Sequence, residues 1–180
     1  LLSRRQRQMC IRDSLKNELN LTKCSFLPGI DISNIRISLE FHHYPFTLYD
    51  LVAIEVNKDM NKGKKFIDPF DIADRIMILH YKNLVGLVPL SSTVHELAHA
   101  GKKFVNRKYV YGNYLKYIEN NEKFINDEYM EKLQQINDIS EREDTGENID
   151  GDILNLNFLE VTVKDIERPK KINIVQDEIA

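Results

Sequence analysis

Four of the five histidines of this chain fall in two tight clusters. His42 and His43 are adjacent within Leu-Glu-Phe-His-His-Tyr-Pro, and His95 and His99 stand four apart within Val-His-Glu-Leu-Ala-His-Ala-Gly-Lys. Imidazole is the side chain that most readily serves both as a neutral base and as a metal ligand near neutral pH. A pair at the end of a strand and a pair on one face of a short helix can converge on one divalent ion, with Mg2+, Mn2+ and Zn2+ the candidates. The fifth histidine, His80, reads as a packed or surface residue.

Several elements must position these side chains. Residues 35–41 alternate apolar and polar, the period of a half-buried strand, and deliver His42 and His43 at its end, where Pro45 stops it. Thr47 and Asp50 form a capping-box-like start for a helix with Leu48, Leu51, Val52 and Val56 on one stripe, running to about Asn61. Asp68-Pro69 opens a second helix carrying Ile72, Ala73, Ile76 and Leu79. Residues 84–90 form a short apolar run that reads as a brief buried strand or an extended loop. Ser91, Ser92 or Thr93 then caps a helix of about two turns that holds His95 and His99 and ends at Gly101. Residues 114–136 read as one or two surface helices.

The ends differ from the middle. Residues 4–14 look like the translation of a transposon-based sequencing adapter, so residues 1–14 are expected to be non-native, with the natural chain beginning at Leu15 or upstream. They carry four arginines and one aspartate, so the formal charge of −3 for the whole becomes −6 for the remainder. That acidic balance disfavours strong non-specific attraction to nucleic acid by the fold as a whole. Cys10 belongs to the same segment, which leaves Cys24 alone and excludes both a disulfide framework and a cysteine zinc knuckle. No apolar run approaches the roughly 18 residues that span a bilayer, so a cytoplasmic location is expected, with no membrane partner. Residues 141–152 hold six carboxylates, one arginine and two glycines, a linker composition, and 153–163 are strand-like. The organisation expected is an adapter-derived segment 1–14, an α+β domain 15–140, an acidic linker 141–152 and a tail 153–180.

The strand-end His-His-x-Pro, followed by Gly86-Leu-Val-Pro-Leu-Ser-Ser-Thr-Val-His95-Glu-Leu-Ala-His99, resembles the HNH (ββα-metal) endonucleases. The resemblance covers two short segments, 35–45 and 83–103. It implies a core of strand, helical insertion, short strand and helix, and hydrolysis of phosphodiester bonds in nucleic acid, chiefly DNA. In that reading His42, His95 and His99 bind metal, and His43 is the general base with Asn83 as a further catalytic residue. A base near neutral pKa and a cation beside the phosphate are what this hydrolysis needs. The departures are specific. About forty residues separate His43 from Asn83, and strict spacing back from His95 puts Gly86 at the family's asparagine position. Residues 44–50 and 110–114 also resemble bacteriophage proteins that carry the same two histidine clusters, which implies a phage origin and a host-cell setting.

Two other readings stand beside it. His95-Glu96-Leu97-Ala98-His99 matches the H-E-x-x-H of zinc metallopeptidases, with Glu119 as a possible third ligand, but that leaves His42 and His43 unexplained. Alternatively, the chain is a non-catalytic phage module whose histidines are packed or hold a structural metal. Lys102, Lys103, Arg107 and Lys108 follow the histidine helix. Beside a metal site they would serve as nucleic-acid contacts, and otherwise they form a solvated face.

Overall fold

Five residues of period-two alternation make β3 (Leu39–His43), and they pair antiparallel with β4 (Leu87–Ser91) across an insertion of two helices. This computed structural model describes residues 20–31, 38–149 and 160–163, together with Asp13. The adapter-like segment apart from Asp13, the expected strand positions 35–37 and the strand-like stretch 153–159 lie outside the described residues. Two short strands, β1 (Lys23–Cys24) and β2 (Leu27–Asp31), precede β3 and pair with each other. The turn between them joins β4 through Ser25 N–H, which donates to the Pro89 carbonyl at 2.9 Å.

The insertion follows its capping chemistry. Helix α1 (Leu48–Asn61) begins with a complete capping box, in which the Thr47 hydroxyl accepts from Asp50 N–H and the Asp50 carboxylate accepts from Thr47 N–H. Helix α2 (Pro69–Tyr81) is capped by Asp68 with proline in its first turn. After β4 comes α3 (Ser92–His99), which ends just before Gly101 in the left-handed region at φ 67°. Helices α4 (Tyr114–Asn121) and α5 (Asp127–Asp144) complete the order. The expected α+β class, with strand, helical insertion, strand and helix in sequence, is what the chain adopts. One detail differs: His42 and His43 lie within the strand, paired to Val88 and Leu87, instead of beyond its end. The acidic stretch that starts at Glu141 begins inside α5, whose last turn reaches Asp144.

Among the described residues the apolar side chains gather in three clusters, the smallest made of Phe104, Ile136, Ile139 and Ile149. The first gathers Leu51, Ile54, Ile76, Tyr117, Tyr129 and Val161 around α1 and its neighbours. Another holds Leu39, Val88, Leu90, Val94, Ala98 and Val105 between the β3–β4 pair and α3. β4 is buried at every position, so it accepts a Val-Pro-Leu run without a polar face. Asp50, fully buried, ties the first core together. Its Oδ2 accepts from Thr47 and from the Tyr129 hydroxyl at 3.0 Å, and its Oδ1 accepts from Val161 N–H at 2.7 Å.

Candidate metal centre

Side chains on a strand alternate between its two faces, so the adjacent histidines of β3 part company. His42 turns to α3 with Glu40, two residues earlier, while His43 turns to α2. On α3, His95 and His99 share one face at i, i+4. The three rings of His42, His95 and His99 meet edge to face, with centroids 4.4 to 5.1 Å apart. One ligand nitrogen from each lies within 4.8 Å of the others. Among the described residues this is where metal-binding side chains converge, and the expected three ligands are brought together.

Hydrogen bonding sets the state of the rings. His95 Nδ1 lies 2.5 Å from Glu40 Oε2. A carboxylate there accepts, so Nδ1 carries a proton and Nε2 is the nitrogen left to act as a ligand atom. That Nε2 faces His99 Nε2 at 3.0 Å. Burial, reinforced by the neighbouring imidazoles, lowers the His42 pKa to about 3, and burial also lowers that of His99. Neutral rings with converging lone pairs are the electronic state in which imidazole binds a divalent metal. Two nitrogens on one tetrahedral zinc lie about 3.3 Å apart at Zn–N bonds of roughly 2.0–2.1 Å, a separation that the His95 and His99 nitrogens approach at 3.0 Å while the three donors together lie within 4.8 Å of one another.

His43 has a different neighbour. Its Nε2 is 2.9 Å from His80 Nε2, and His80 Nδ1 donates to the Ile76 carbonyl at 2.8 Å. The carbonyl can only accept, so His80 Nε2 holds a lone pair and His43 donates to it. Burial, with the His80 and His95 rings beside it, lowers the His43 pKa to about 4. Asn83 lies in the turn after α2 at φ 53°, where its carbonyl accepts from Asn113 N–H, outside the histidine group. Gly86, at the position strict spacing reserves for the asparagine of the HNH pattern, packs against the Tyr44 carbonyl so closely that a Cβ would collide with it.

The remaining candidates are placed as follows. Lys102 is exposed, and Lys103 lies over the Phe26 ring at 5.0 Å. Arg107 pairs with Glu141 at 3.0 Å and Lys108 with Asp144 at 2.5 Å, both on α5. Glu96 is exposed on α3, and Glu119 is exposed on α4 and absent from the histidine group, whose third member is His42. Sequence reasoning missed Glu40 and His80. Glu40 was reachable, since the period that places His42 on one face places residue 40 beside it. The His80 contact with His43 joins distant segments and leaves no local signal.

A strand pair and a short helix, whose N-cap residue Ser91 makes no side-chain capping bond contrary to the expected Ser/Thr cap, gather three imidazoles in an α+β module with a histidine cluster that could hold a metal ion. The model for the bacteriophage G278-like virion proteins matches residues 10–167, and the chain belongs to that family. No match was found among curated proteins or among solved structures. Membership in a virion family supports the phage origin and overturns the expectation of an HNH-type nuclease acting on nucleic acid. The geometry supplies the physical reason: the expected base His43 is buried against His80, and the expected Asn83 stands apart. Among the described residues no helix is long and apolar enough to cross a membrane.

Proposed function

We propose that the chain is a non-catalytic module of the virion in which His42, His95 and His99 hold one divalent metal, with zinc the best match to the donors. Its role is structural: the ion fastens α3 to the β3–β4 pair. One observation carries this reading, the Glu40 contact that leaves His95 Nε2 facing His99 Nε2 at 3.0 Å. Without a cation that pair gains only a hydrogen bond in a half-exposed setting, whereas a metal uses both lone pairs at once. A metal bound by the folded chain and not by the unfolded one stabilises it by about 2.7 kcal/mol at a hundredfold excess over Kd.

The test is elemental analysis of the purified chain, with thermal unfolding before and after chelation. Stoichiometric zinc, a lower melting temperature on removal, and recovery on re-addition are expected. His95→Ala and His42→Ala should abolish the metal-dependent increment. A chain that binds no divalent metal and melts identically with and without chelator would refute the reading.

A further inference from the structure

Helix α2 (Pro69–Tyr81) is apolar on two faces, and the fold buries one of them. Ile72 and Ile76 lie in the core around α1. On the far side Phe70, Ile78 and Tyr81 are 73%, 48% and 59% exposed, and Phe66, in the segment that leads into the helix, is 77% exposed. At about 100° per residue the three helical positions fall within about 80° of arc, a stripe opposite the buried one. Among the described residues no element covers it. Single exposed apolar residues are ordinary on a soluble protein, but large ones in a row along one helix mark a contact surface.

The charges beside the stripe indicate what meets it. Asp71 lies in the first turn of α2 and Lys82 at its C-cap, both exposed. The same helical steps put them on one edge of the stripe, about 100° and 120° round from Phe70. Asp71 acts on Arg75 through its charge, but the guanidinium hydrogen-bonds to Asp59 instead. Phe70 and Tyr81 are eleven residues apart, as are Asp71 and Lys82, so one two-fold axis across the middle of the helix serves both pairs. That axis lays the stripe antiparallel on a second copy of itself and sets Asp71 of each chain against Lys82 of the other. A parallel pairing would gather both acidic first turns at one end. We propose that α2 is a self-association surface on which two copies of the chain pair antiparallel, Phe70 packing toward Tyr81 of the second copy and Asp71 facing its Lys82. Asp74 stands in the same arc and comes near its own counterpart, and a helix of 13 residues offers only about 20 Å of contact, so the pairing is weak and reversible.

The experiment is sedimentation velocity of the full chain from micromolar to near-millimolar concentration, with and without chelator to separate pairing from metal bridging. A sedimentation coefficient that rises with concentration toward that of a dimer in both conditions is expected. Phe70→Ser and Tyr81→Ser, each checked for native circular dichroism, should raise the dimer dissociation constant about tenfold or more, since one substitution acts twice across a two-fold. Asp71→Lys alone and Lys82→Glu alone should each weaken self-pairing. An equimolar mixture of those two variants should restore it, because only the mixed dimer opposes lysine to carboxylate at both positions. Damage to the fold would not be repaired by mixing. A chain monomeric throughout overturns the proposal and leaves the face to a partner of another kind. A dimer that needs metal, survives both serine variants or gains nothing from mixing uses a different surface, and overturns it as well.

Discussion

Glu40 and His95 join β3 to α3 through a single contact, Oε2 to Nδ1 at 2.5 Å. The strand presents residues 40 and 42 on one face and the helix presents residues 95 and 99 on another. The carboxylate therefore orients one imidazole while its strand neighbour supplies a second. A carboxylate behind a metal-binding histidine fixes its tautomer and raises its basicity.

From this it follows that Glu40→Gln lowers zinc affinity by about 10–100-fold without changing stoichiometry. Glutamine can still accept from Nδ1 but brings no charge, and Glu40→Ala should sit at the larger end of the range. Competition against a chromophoric chelator measures both. Since the Glu40 side chain is 41% exposed, the metal-free variants should unfold close to the parent. Affinity equal to the parent in both variants would remove Glu40 from the centre.

His43 makes the contrasting case. It hydrogen-bonds His80 at 2.9 Å across β3 and α2 and contributes no nitrogen to the triad. His43→Ala is expected to cost about 1–3 kcal/mol in urea unfolding through the lost bond and the unsatisfied His80 nitrogen, with zinc stoichiometry retained. His95→Ala should show the reverse, a lost metal with little change in the metal-free chain. Loss of zinc in His43→Ala, with the fold intact, would place His43 in the centre.

Legibility in the sequence tracked the range of the interaction. Thr47 with Asp50, and Asp68 with Pro69, announce α1 and α2 because their capping bonds span only two or three residues. The i, i+4 spacing of His95 and His99 is local in the same way, and the two clusters do converge, with His42 completing the group. What the two histidines of β3 face was harder. Alternation says that His42 and His43 diverge, yet only the packing of α2 shows that His43 meets His80 and not solvent. The resemblance to nucleases rested on residue types shared by any histidine-rich strand and helix, and the family assignment reads the whole chain instead.

Gly86 gives a test of that distinction. Its Cα packs against the Tyr44 carbonyl, its own carbonyl accepts from Tyr44 N–H at 3.0 Å, and Val110 Cγ1 stands 2.9 Å from where a Cβ would be. Gly86→Asn, which would complete the HNH-like pattern in sequence, is therefore expected to destabilise the chain by about 1–3 kcal/mol or more through overpacking. Gly86→Ala should already show most of the loss. Thermal melts decide it, and a Gly86→Asn variant as stable as the parent would mean that Tyr44 and β4 separate more easily than their packing indicates.

Stability of the metal-free chain should fall on acidification between about pH 6.5 and pH 4. His42 and His43 titrate near 6.5 when unfolded, but the fold lowers them to about 3 and about 4, through burial first and neighbouring imidazoles second. In that window the unfolded chain binds protons that the folded chain refuses. The contribution is thus fully present above pH 6.5 and is lost as pH falls toward the folded values. Asp59 works lower down: its hydrogen bonds to Arg75 bring it to about 2, so its contribution is lost only below about pH 4. Unfolding free energies from urea titrations at pH 7.5 and pH 5 should differ by on the order of 1–3 kcal/mol, with the lower midpoint at pH 5. His43→Gln should reduce that difference while His80 remains in place. Zinc should enlarge it, because protons compete with the metal for the His42, His95 and His99 lone pairs. A midpoint that stays level or rises from pH 7.5 to pH 5 would show that these histidines are not held neutral in the fold.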